Sequence, residues 1–135
     1  MAYANSLLKA GGVEITLPYI QLASYKVSPN QRLETSAERD TDGLLVRATL
    51  SHTPSKIEFT TPALVSSDVE ALMSILSTAY TTAAERKLSL NYYVPDLDAY
   101  QTGNFYVPDI TFTIYREISS TVLQYEPIRI AFIEY

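Results

Sequence analysis

Apolar positions along the chain recur at two periods, and the order of those periods predicts the architecture. Val13, Ile15 and Leu17 alternate with Glu14 and Thr16 between a Gly11-Gly12 turn and Pro18, the pattern of a half-buried strand. A second strand is expected over Ile20 to Val27, with Ala23, Tyr25 and Val27 on one side and Leu22 on the other. Leu44 to Ser51 places Val46, Ala48 and Leu50 inward and Leu45, Arg47 and Thr49 outward. The turn His52-Thr53-Pro54-Ser55 then leads to a partner strand over Lys56 to Thr60. From there the period becomes helical: Val69, Leu72, Met73, Leu76, Ala79, Tyr80 and Ala83 share one stripe. Ser67 with Glu70 has the spacing of a capping box, which predicts one helix over about residues 67–84 packed on a sheet.

Beyond the helix the period of two returns. Leu88, Leu90, Tyr92 and Val94 alternate with Lys87, Ser89, Asn91 and Tyr93, and a turn-rich segment from Pro95 to Gly103 leads into Asn104-Phe105-Tyr106-Val107. Ile110, Phe112 and Ile114 alternate again, and Ile128, Ile130 and Phe132 close the chain in a strand apolar enough to tie the last residues into a sheet. The expected fold is mainly β (α+β): a β-sandwich or split barrel of antiparallel strands, one domain over residues 1–135, with one flanking helix.

One stretch breaks the alternation. Ser28 to Gly43 is sixteen residues of mixed polar and charged character, and it reads as one long loop. A loop of that length inside a compact domain is usually functional or disordered. Arg32, Glu34, Glu38, Arg39, Asp40 and Asp42 supply both signs of charge over a short span, with Arg47 just beyond. Mixed charge suits register across a polar interface, so these seven residues are the candidate interface; a mobile solvated hairpin is the alternative.

Composition narrows the chemistry. The chain has no cysteine and one histidine, which excludes disulfides, thiolate metal sites and a histidine-rich zinc site within one chain. The net charge of −5 argues against tight binding of a phosphate backbone. No apolar run is long enough to cross a bilayer, and the N-terminal residues lack the basic flank and apolar core of a signal peptide. A soluble protein made in the cytoplasm is expected.

Three local patterns bear on chemistry. Asp40-x-Asp42-Gly43 resembles a fragment of a calcium loop but lacks the third oxygen ligand and the distal glutamate, so a tight turn is expected there. His52 lies among serines and threonines, none of them flanked by nucleophile-elbow glycines, and reads as a turn histidine. Tyr93, Asp96, Asp98 and Tyr100 form a candidate sugar platform, with rings to stack and carboxylates to bond hydroxyls; adjacent tyrosines such as Tyr92 and Tyr93 must face opposite sides of a strand. No cofactor, metal or catalytic residue is expected.

The order of short motifs carries a resemblance. Gly11-Gly12-Val13-Glu14-Ile15, then Glu38-Arg39-Asp40-Thr41-Asp42-Gly43 with Val46-Arg47, Lys56-Ile57-Glu58-Phe59, the helix, Thr102-Gly103-Asn104-Phe105-Tyr106-Val107-Pro108-Asp109 and Ile130-Ala131-Phe132-Ile133-Glu134 run nearly the length of the chain. In that order they resemble a family of small proteins from tail-module regions of phages and prophages of Gram-positive bacteria. The layout is also similar to tail-tube and distal-tail proteins, whose β-sandwich assembles into six-fold rings around a DNA channel. The resemblance implies a virion structural protein rather than an enzyme, located in the tail. It further implies a homo-oligomer, a hexameric ring, contacting other tail or baseplate proteins and meeting DNA only as a passing genome. A carbohydrate- or receptor-binding module of a tail tip is the alternative.

Overall fold

The computed structural model describes residues 3–135. Its centre is an antiparallel sheet of eight strands: β1 (Leu8–Ala10), β2 (Val13–Ile15), β3 (Lys26–Ser28), β6 (Lys56–Thr60), β7 (Tyr80–Thr82), β8 (Lys87–Val94), β9 (Ala99–Tyr106) and β12 (Arg129–Glu134). The order across the sheet is β2-β1-β8-β9-β12-β6-β3, with β7 beside β8. Two hairpins stand apart from it: β4 (Glu34–Arg39) with β5 (Leu45–Thr49), and β10 (Ile114–Ser119) with β11 (Val122–Tyr125). One helix, α1 (Ser66–Ala79), completes the mainly β fold.

Alternation sets the two faces of the sheet. Leu88, Leu90, Tyr92 and Val94 are buried while their odd-numbered neighbours face out, and Ile57, Phe59, Ile130 and Phe132 repeat the pattern across the β6–β12 pair. Val69, Leu72 and Leu76 of α1 close over this face. The sheet is strongly curved. Ser55, immediately before β6, bonds the hydroxyl of Tyr92 in β8 at 2.9 Å, although those strands lie three places apart. In a flat sheet three places correspond to roughly 14 Å, beyond the reach of a tyrosine and a serine together.

Several expected elements change. The second strand shrinks to Lys26–Ser28, because Leu17–Tyr19 and Leu22–Ser24 form 3-10 turns. Pro18 favours the first, and the Ser24 hydroxyl bonds the Gln21 carbonyl at 2.6 Å within the second, a local alternative to the ladder. Leu44–Ser51 does not pair with Lys56–Thr60: both edges of β6 are occupied, by β12 and by β3. The stretch expected as a loop over 28–43 instead supplies β4, the true partner of β5. Val46, Ala48 and Leu50, expected inward, are exposed.

The helix begins at Ser66 and ends at Ala79, so Tyr80 and Ala83 fall outside it. The capping box of Ser67 and Glu70 is not formed; Val65 occupies the N-cap position without a side-chain bond. Tertiary pairing fixes the entry instead, through the Val65–Gln124 bridge and the Tyr125 N–H donating to Leu64 O at 2.8 Å. The turn expected over Pro95–Gly103 is only Pro95–Asp98, with Asp98 at positive φ, and β9 already starts at Ala99. Ile110 and Phe112 precede the second hairpin rather than forming a strand with Ile114; Pro108, which has no N–H to donate, follows the end of β9. The last residues are tied in as expected, with Tyr135 N–H donating to Asn104 O at 3.0 Å.

Candidate assembly surface

The β4–β5 hairpin is an arm off the main sheet, and most of its charges hold the arm together. Arg47 of β5 pairs with Glu34 of β4 across the ladder. Arg39 donates to Gly43 O at 2.9 Å, and the Asp40 carboxylate accepts the N–H groups of Asp42 at 2.9 Å and Leu44 at 3.0 Å. Gly43 has φ +80°, the conformation that favours glycine, so Asp42-Gly43 is the tight turn expected. Arg32 donates to Asn30 O at 2.6 Å at the base of the arm. Glu38 lies on β4 opposite Val46.

The ladder register divides the arm into two faces. Leu45, Arg47 and Thr49 share one with Ala37 and Arg39; Val46 and Ala48 share the other with Ser36 and Glu38, and Leu44 and Leu50 extend that second row by the same alternation. Val46 is 58% and Leu50 46% exposed. The stripe that alternation marks as core is thus assembled on the arm and left exposed.

The second hairpin repeats this. Ile114, Tyr115 and Ile118 are exposed on it and Phe112 just before it. Among the described residues, thirteen large apolar side chains are exposed; five (Leu33, Leu44, Leu45, Val46, Leu50) belong to the arm and its base and these four to the second hairpin. Exposed apolar surface so concentrated is uncommon on a monomeric soluble protein. Two-stranded hairpins are also marginal alone in water, which a partner would remedy.

Charge is segregated as well. Lys9, Lys26, Lys56 and Lys87, the chain's four lysines, all lie on the outer face of the sheet with Arg129, against Glu14 and Glu58. The Arg129 guanidinium, bonded to the Glu58 carboxylate, holds that group below its ordinary pKa against the opposing effect of burial, and the charges of Arg129, Lys56 and Lys26 add to the lowering. The acidic excess of the chain therefore lies elsewhere on the molecule.

Tyr93, Asp98 and Tyr100 do come together. Tyr93 and Tyr100 meet edge to face at 5.5 Å, Tyr3 meets Tyr93 likewise at 5.5 Å, and Tyr93 donates to Asp98 Oδ1 at 2.5 Å. That bond, with smaller contributions from burial and neighbouring charge, raises the Tyr93 pKa. Tyr100 donates to Ser6 O at 2.6 Å, so both hydroxyls already have internal acceptors; Asp96 is exposed on the turn. His52 bonds the Tyr135 carbonyl through Nε2. Among the described residues no three of His, Cys, Asp and Glu gather as metal ligands, and no helix is long and apolar enough to cross a membrane.

A family model matches residues 1–135. The chain belongs to a family of unknown function, DUF6711. No curated protein matches it. Two solved structures share the fold of this DUF6711 chain. One is a chain of the tail of an empty gene transfer agent particle computed with helical refinement in C6 symmetry, at 14% identity and TM-score 0.53, covering 97% of this chain and 91% of that one. The other is from the virion of the native gene transfer agent particle, at 13% identity and TM-score 0.52, with the same coverage. At such identity the likeness establishes the fold.

Proposed function

We propose that this DUF6711 protein is a structural protein of a phage-like tail, forming or capping a ring of the tail tube, distal tail or baseplate, with the β4–β5 arm as a contact between copies. The observation that carries this reading is the arm itself: a folded hairpin whose apolar stripe is uncovered, on a fold shared with a chain from a tail of C6 symmetry. A ring needs two different surface patches on each subunit, and the two hairpins provide two. A hexameric ring, association with other tail or baseplate proteins, location in the virion tail and contact with DNA only as it passes belong to this reading. It assigns no catalytic role. The acid-rich surfaces outside the lysine-bearing sheet face suit a channel wall that repels phosphates.

Deletion of the arm is the direct test. Replacing Leu33–Leu50 by a short glycine-serine linker removes both strands together, and because loop-closure cost changes slowly with length the shortened protein should still fold. Sedimentation should show the shortened protein as a folded monomer where the full chain forms large species or enters particles. Normal copy number without the arm would refute the reading. The receptor- or carbohydrate-binding alternative draws on the Tyr3–Tyr93–Tyr100 group with Asp98; it requires tyrosine fluorescence to shift with glycan and a subunit that stays small.

A further inference from the structure

We infer that Ser55 and Glu134 form a latch that sets the angle at which the arm leaves the body of the subunit. This deepens the assembly reading and rests on it. The arm has two roots, residues 28–33 and 50–55, and both converge on one buried serine. The Asn30 N–H donates to Ser55 Oγ at 2.9 Å, and the Gln31 N–H to Pro54 O at 2.8 Å. Ser55 is 1% exposed, and its backbone is held from both sides by Glu134: its N–H donates to the Glu134 carboxylate at 2.7 Å, and its carbonyl accepts the Glu134 N–H at 3.1 Å.

Hydrogen-bond bookkeeping gives the chain a direction. Tyr92 donates to Gln101 Oε1 at 3.0 Å, so the proton between Ser55 Oγ and Tyr92 comes from the serine. The sequence of donors runs Asn30 N–H, Ser55 O–H, Tyr92 O–H, ending on Gln101, and linked bonds of one direction polarise and strengthen one another. It couples the first root of the arm to the middle of the sheet, while Glu134 couples the second root to the end of the C-terminal strand. Asn30 itself adopts positive φ, a sharp turn at the point of exit.

Gly103 makes room for the latch. A Cβ there would lie 2.5 Å from Glu134 Oε2 and 3.2 Å from Phe105 Cε1. The carboxylate is the end of a flexible side chain and would move first, away from Ser55. Gly103→Ala therefore disturbs the latch without altering either of its members.

The test is amide exchange on the full-length subunit by NMR, combined with assembly. In Glu134→Ala and in Gly103→Ala, exchange at Asn30, Gln31 and Ser55 should rise about tenfold, as expected on loss of a charge-assisted bond, while Leu88–Val94 keep their protection. Glu134→Gln keeps an acceptor oxygen and should restore most of the protection. Assembly should slow in Glu134→Ala, and the same change added to the arm-deleted protein should have no further effect. Unchanged exchange at Asn30 and Ser55 in both variants overturns the latch, as does acceleration spread through β8. Faster exchange with normal assembly, in a protein that needs its arm, overturns the aiming role. Normal assembly without the arm sinks the assembly reading alone and leaves the exchange result standing.

Discussion

Asp40 and Leu44 clasp each other twice at the tip of the arm: the Asp40 N–H donates to Leu44 O at 2.8 Å, and the Leu44 N–H donates to the Asp40 carboxylate at 3.0 Å. Asp40, one of the charges expected at an external interface, thus serves to close the hairpin. Beside its charges the arm also presents the aliphatic side chains of Leu44, Leu45, Val46 and Leu50 to solvent.

Asp40→Ala should accordingly loosen the tip while sparing the core. The loss is that of a local turn bond, about 1 kcal/mol, confined to the arm. Amide protection of Leu44 and Gly43 should fall with the global melting temperature nearly unchanged. A cooperative loss of stability across the subunit would show that the arm is part of the core unit instead.

Substitution on the arm's apolar stripe separates assembly from folding. Val46→Glu places a charge where the subunit leaves the side chain in water, so its stability should change by no more than about 0.5 kcal/mol. Burial of that charge against a neighbour would be costly, and particle incorporation should collapse. Arg39→Glu should weaken assembly less, and more at low salt than at high. Incorporation of the Val46→Glu protein at normal copy number would mean the stripe faces solvent in the tail too.

The helix has one face that matters for stability. Leu76 is buried and Ser74 exposed. Leu76→Ala should cost about 2 to 5 kcal/mol, through lost transfer energy and the cavity left behind, enough to threaten a marginal domain. Ser74→Ala should be nearly neutral. Denaturant unfolding of the two variants checks the assigned face directly.

Acid should act on the outer sheet face through Glu58. Its folded pKa lies below the unfolded value, so its pairing with Arg129 stabilises the fold above the ordinary carboxylate range, and this contribution is lost as pH falls through the lowered folded value. A carboxyl NMR titration of Glu58 should give a midpoint below that of a free glutamate. In Arg129→Gln the midpoint should move upward; no movement would assign the depression to another group.

Much of the fold was legible residue by residue. The alternation at Leu88, Leu90, Tyr92 and Val94 gave the buried face of β8 correctly, as did Ile128, Ile130 and Phe132 at the C-terminal end. The stripe of Val69, Leu72 and Leu76 identified the helix face that packs. In each case apolar side chains repeat at the period of their own backbone, and that signal is local.

The strand β4 was not legible, because Glu34–Arg39 contains no large apolar residue; its conformation depends on pairing with β5 and on the Asp40 turn. The capping box failed for a related reason: Leu64 and Val65 are held by Gln124 and Tyr125, and that long-range pairing fixed the helix entry. The Ser55–Glu134 contact spans 79 positions, and nothing near either residue announces it. Of the candidate surface, charge and length single out residues 28–43 as a segment apart, but not the strand β4 within it, and Val46, Ala48 and Leu50, expected inward, are exposed.

The sequence by itself determined which residues face together along each strand and along the helix, since side-chain direction follows from backbone period alone. Only the tertiary structure decided which strands pair. Backbone N–H and C=O groups are the same at every residue, so any strand edge offers similar partners, and the choice depends on which edges remain free. With β6 taken by β3 and β12, β5 found its partner in the polar stretch before it. That choice moved a core-like stripe from the interior to the surface, where a neighbour can cover it.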